Sequence, residues 1–396
     1  MGSFFVLALT AGFGDNFNGG LNGICQKHPA KSMKFGLIFA ILISIPFQFA
    51  QAYRLAYFSD PARIWGSGIE RVIEEAFRLC FRTKIIGGRV MNIRIPFGMN
   101  NERDALVETS WSIVGGGKGS PETLWPVIEN ILASENFQEF VRTLSSGREQ
   151  VIIFDMPSRT WSSSTDIFDI AAMRAGLYRG LLHRPHVLVS GRGITESDVY
   201  NFLFSIGRVG MDCSGFVWHI LSYIGRYGGI NLGQILSGDL GVPRGVNPAL
   251  FVGNWFFNSN SRHIIPVNDT ISNLRPADII LFRGQDGNMA HSAIIQSIDF
   301  ERGVIRYLQS TDEAPLPERG VHDSFIYFDP ARAGLSLSDP SLVWTKRRYA
   351  PFPGEWESPF ADDGERYRAF SELGGGRVVR LRPLVPVIEA INARRN

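Results

Sequence analysis

One helix with clear signals at both ends constrains this chain most. Phe216, Val217, Ile220, Leu221 and Ile224 recur at spacings of three and four, which builds a single apolar face. Gly228-Gly229 supplies the stop. At the other end stands Met211-Asp212-Cys213-Ser214-Gly215, so Cys213 falls in the first turn, with Asp212 and Ser214 as N-cap groups. Unpaired backbone N–H groups at a helix start favour negative charge, and so does the helix dipole. Both effects lower a thiol's pKa, and the same N–H groups suit a developing oxyanion. A lone cysteine at such a place also reads as a small buried hydrophobe.

A run of strands follows that helix. Leu274-Arg275-Pro276-Ala277-Asp278 leads into Ile279-Ile280-Leu281-Phe282, a short apolar strand. Gly284 to Asn288, with Asp286-Gly287 at its centre, reads as a tight turn. Met289 to Ile295 is the partner strand, and period two puts His291, Ala293 and Ile295 on one face. A third strand runs from Val304 to Gln309. Gln309 is placed to hydrogen-bond the far nitrogen of His291 and fix its tautomer, although a glutamine at a strand end is also commonly solvated. A thiol at a helix start and a distant histidine on a strand are the minimum equipment of a cysteine nucleophile enzyme.

Asp-Cys-Ser-Gly-Phe-Val, then Pro-Ala-Asp-Ile-Ile, then Ala-His-Ser-Ala-Ile, in that order, resembles the NlpC-type (NlpC/P-sixty) cell-wall cysteine peptidases. The resemblance covers residues 195–310 and extends towards 350, where Val343 to Arg348 reads as a closing strand. It implies an α+β fold with a papain-like core, a cysteine-bearing helix packed on an antiparallel sheet. It implies Cys213 as nucleophile, His291 as general base and acid, and Gln309 as the third polar residue. It places Tyr200, Asp212 and Ser214 on the substrate side, and it implies peptidoglycan stem peptides as the substrate. Where the family carries a Trp-Gly-Gly-like run after the tyrosine, this chain has Asn201-Phe202-Leu203-Phe204. The stretch between Cys213 and His291 is long for the family. Its excess lies in residues 229–270, rich in Gly, Asn and Pro, and is expected to form a lid or pocket wall. Such acyl-transfer chemistry requires no metal or organic cofactor. A cysteine amidase or acyltransferase on another substrate is the alternative, and so is a binding protein that keeps the fold without turnover.

The start of the chain bears on location. Met33-Lys34 precedes an apolar run from Phe35 to Ile45, then Pro46 and Ala50-Gln51-Ala52. A basic start, a short apolar run and a small-x-small site make a secretory signal over 33–52, cut after Ala52, with residues 1–32 as an extension. The run is short for a membrane span, so a stable anchor is not expected and the mature chain is expected in the periplasm or outside the cell. The net charge of +2 disappears with that segment, because Lys27, Lys31 and Lys34 leave with Asp15. A neutral chain with scattered arginines lacks the basic footprint of a nucleic-acid binder.

The rest of the chain divides into an N-terminal α/β region of open role, 53–194, the peptidase-like domain, 195–350, and a C-terminal extension, 351–396. Helices are expected near 67–82, 121–146 and 166–182, with strands near 84–97 and 150–154. The 385–391 run is expected to dock on the body as a short helix. Cys80 falls on the apolar face of the first helix and reads as core. Gly115 to Ser120 lacks phosphate-loop spacing and reads as a flexible loop. His183 and His186 have no carboxylate or cysteine to complete a metal set.

Overall fold

The computed structural model describes residues 67–98 and 119–394, except 156–157, 159, 175–185, 192, 285, 312–319, 347–359, 362–364 and 373. The proposed signal segment and most of the Gly115–Ser120 loop lie outside the described residues. From the N-terminal side, helix α1 (Ile69–Arg78) leads into a hairpin of β1 (Phe81–Ile86) and β2 (Arg89–Arg94). The expected strand near 84–97 is this hairpin, folded back at Gly87-Gly88, both with positive φ. Helices α2 (Pro121–Ala133) and α3 (Glu135–Leu144) follow, separated by Ser134, whose hydroxyl caps α3 by accepting from Phe137 N–H. Strand β3 (Glu149–Asp155) pairs antiparallel with β4 (Thr160–Ser164) and β5 (His186–Ser190), with α4 (Ile167–Arg174) between the latter two in sequence.

Helix α5 (Glu196–Phe202) opens the second half, and α6 (Cys213–Tyr227) is the helix expected from the sequence, ending at Gly228. The 229–270 segment holds two short helices, α7 (Leu232–Leu236) and α8 (Asn254–Phe257), before β6 (Ile264–Val267). Then come β7 (Ile279–Arg283), β8 (Met289–Asp299), β9 (Val304–Thr311), β10 (Gly320–Tyr327), β11 (Val343–Lys346) and β12 (Phe360–Ala361). Helix α9 (Glu365–Ser371), β13 (Arg377–Leu381) and α10 (Val385–Ala393) close the chain.

Eight of these strands form one antiparallel sheet in the order β12-β11-β10-β9-β8-β7-β13-β6. The fold is therefore mixed α+β with antiparallel sheets. Strands from both sides of position 350 share the large sheet, because β13 sits between β7 and β6. An ion pair fastens this late strand: Arg380 donates to both carboxylate oxygens of buried Asp278, at 2.6 and 2.8 Å. The β7–β8 hairpin turns where expected, with Gly287 at φ +80° and the Asp286 carboxylate accepting from Asn288 N–H.

The two faces of the sheet carry different partners. On one lie Ile280, Phe282, Ala293, Ile295, Ile305, Tyr307, Ile326 and Trp344, packed with Phe370 of α9. Towards the other comes α1, where Glu74 receives a 2.6 Å bond from Arg306 and the Glu70 carbonyl accepts from Gln296. Helix α6 packs on α1, β8 and β9, with Phe216 edge-on to Phe77 of α1.

Candidate active site

Asp212 has extended backbone angles (φ −77°, ψ 175°), and its carboxylate accepts from the Gly215 N–H. That is the N-cap expected of an aspartate, and it leaves Cys213 as the first helical residue. The Ser214 hydroxyl turns inward, donating to Asp212 at 3.3 Å and to the Val252 carbonyl at 3.5 Å. Both flanking residues are buried and help build the cap. Cys213 is a free thiol, 8% exposed. Asn254, the first residue of α8, brings its carboxamide to the thiol, with Nδ2 3.6 Å and Oδ1 4.0 Å from Sγ. Sequence reasoning missed Asn254, since one asparagine in a segment rich in Asn carries no signal of its own.

The second half of the site is on the sheet. His291 Nε2 lies 2.7 Å from Gln309 Oε1. The Gln309 amide nitrogen donates to Ser324 Oγ at 2.8 Å, which turns Oε1 towards the imidazole. A carboxamide oxygen only accepts, so Nε2 carries the proton and Nδ1 is the basic nitrogen. Phe282, directly across the hairpin from His291, stands 5.4 Å away between ring centroids. Phe282 is held edge-on by Trp344 and Phe370, and the Arg366 guanidinium lies 5.4 Å from its ring. The imidazole, 6% exposed, is thus held by Gln309 and flanked by an aromatic wall.

A bond from β9 joins the two halves: Ser310 Oγ donates to the Met211 carbonyl at 2.6 Å, two residues before Cys213 and one after Gln309. Alternation along β9 puts Gln309 on the face of Tyr307 and Ser310 on the face of Arg306.

Tyr200 is packed away at 4% exposure. Its hydroxyl accepts from Phe97 N–H at 2.9 Å, and Arg94 lies over its ring. Beside α6 there is a cavity of about 460 Å³, lined by Gly215, Trp218, His219 and Arg226 together with stretches 230–233 and 247–249. The 229–270 segment thus forms a pocket wall. Cys213 and His291 are not among the described residues lining it. His219 hydrogen-bonds the Ala76 carbonyl at 3.0 Å, and burial pushes its pKa down. Cys80 is the core residue the first helix implied, with no exposed surface.

Among the described residues no cluster of His, Cys, Asp or Glu is placed to hold a metal ion, and no helix is long and apolar enough to cross a membrane. No family model matches this chain, nor does any curated protein or solved structure.

Proposed function

We propose that this chain is an exported cysteine hydrolase with an NlpC-like, papain-type core that cleaves peptidoglycan stem peptides. The observation that carries this reading is the 2.7 Å bond between His291 and Gln309. It supplies a tautomerically fixed base on the strands against which the cysteine-bearing helix packs. In the proposed reaction His291 Nδ1 takes the thiol proton and the Cys213 thiolate adds to the scissile carbonyl. Backbone N–H groups at the start of α6 hold the oxyanion. The imidazolium then protonates the leaving amine, and the neutral ring activates the water that releases the acyl group. The cavity along α6 is within the size range of small-ligand sites and suits part of a short peptide.

Burial of both Cys213 and His291 favours a second reading, a protein that grips cell-wall peptides without turnover. Digesting purified peptidoglycan with wild type and Cys213→Ala, followed by mass analysis of soluble fragments, separates the two. New fragments from wild type alone support the hydrolase. Equal fragments from both reject the nucleophile, and binding without fragments supports the gripping protein.

A further inference from the structure

We infer that Asn254 is a positioning residue for the Cys213 sulfur: its carboxamide N–H holds the thiolate from the side of the 229–270 segment. The inference deepens the hydrolase reading and rests on its assignment of Cys213. The geometry has two parts. Asn254 Nδ2 lies 3.6 Å from Sγ, within reach of an N–H···S bond. The backbone around Asn254 is also anchored, which fixes where the carboxamide points. Gly253 caps α8 in extended conformation, and Asn258 N–H closes the turn on the Asn254 carbonyl at 2.9 Å. Phe256 and Phe257 next door are fully buried. A part-buried Asn–thiol contact of this kind is worth more once the sulfur is ionised, because a hydrogen bond to a charged acceptor is roughly twice as strong as a neutral one.

Other titratable and charged groups lie on α6, on the elements packed against it and on the adjoining strand β10. Asp212 is in the cap, His219 is on α6, His291 is on β8, Glu74 is on α1, Arg306 is on β9, and His322 and Asp323 are on β10. Arg306 is bonded to both Glu74 and Asp323, and His219 turns to Ala76. All of them persist when only residue 254 is changed, so a matched pair of proteins isolates the carboxamide.

The test is the pH dependence of iodoacetamide alkylation at Cys213 in the full chain, read by peptide mass spectrometry. Asn254→Leu keeps roughly the size and removes the donor without adding charge. Asn254→Ala removes the group. Native circular dichroism and the thermal midpoint confirm that each variant folds. The expected result is a rise in the midpoint pH of about half a unit or more in both variants. A midpoint unchanged or lowered in folded Asn254→Leu overturns the inference. A wild-type midpoint at the ordinary thiol value, still raised by Asn254→Leu, supports the Asn254 contact while removing the nucleophile reading.

Discussion

Two cysteines of the described fold sit in opposite surroundings. Cys80 has no exposed surface, and burial pushes its thiol well above the ordinary value, with Glu122 adding to the rise. Such a thiol is inert. Cys213 starts a helix, is bonded by a carboxamide and keeps a little exposure. Native protein treated with iodoacetamide at neutral pH is therefore expected to be labelled at Cys213, and Cys80 only after denaturation. Peptide mass mapping checks both halves of that statement. His219 provides a second test at this scale. Burial depresses its pKa, an effect larger than the pull upward from the Ala76 carbonyl and Glu122, and Arg226 adds to the depression. The unfolded chain, with an ordinary histidine near 6.5, then binds the proton more readily. Stability from this group is full above about pH 6.5 and falls as the pH drops below it. Replacing His219 with Gln is expected to flatten the acid limb of the stability curve, measured by urea unfolding at pH 5 and 7. Most of the candidate site was legible residue by residue, because Cys213, His291 and Gln309 each follow from local pattern. Asn254 was not, because its position depends on how a 41-residue excursion from Cys213 folds back.

At the scale of elements, one buried arginine joins three of them. Arg306 of β9 bonds Glu74 of α1 at 2.6 Å and Asp323 of β10 at 2.9 Å, and none of the three is more than 1% exposed. Removing one partner of such a set leaves charge buried without compensation, at a cost of ~3–5 kcal/mol. Arg306→Ala is expected to lose about that much in chemical denaturation, or to fail to fold. Arg302→Ala, at a partly exposed i,i+3 pair in the turn between β8 and β9, is expected to cost under about 1 kcal/mol. The elements that sequence showed were those marked by a helical period or a short apolar run: α6, α10, β3, β7, β8, β9, β11 and the N-terminal helices. The elements that it hid have physical reasons for being hidden. Strand β10 carries His322, Asp323 and Ser324 in its buried interior, so no polar–apolar alternation marks it. Strand β6 contains Pro266, which is compatible only with an edge, and β6 is the edge of the sheet. Strand β13 has only five residues, two of them arginine, and its pairing with β7 and β6 is wholly non-local.

At the scale of the molecule, the described residues all fall within one compact unit, Ser59–Asn396. The sheet runs through β13, so described residues after position 350 are part of the fold. A chain ending at 350 loses the strand between β7 and β6 and leaves Asp278 without Arg380. It is expected to show no cooperative thermal transition, whereas removal of Arg394 to Asn396 alone is expected to leave the transition intact. The mixed α+β character was legible from the alternation of helical and strand periods. The closing of the sheet by a late strand was not, because that depends on long-range pairing.

The whole account turns on whether the sulfur that opens α6 and the imidazole held by Gln309 act on one another. The rate of Cys213 alkylation against pH, compared between wild type and His291→Ala, measures that coupling directly. A wild-type midpoint lower than that of His291→Ala, by about a unit or more, is the predicted result. Identical profiles with an ordinary thiol midpoint in both proteins would mean that the sheet keeps the two groups apart, and would contradict the account.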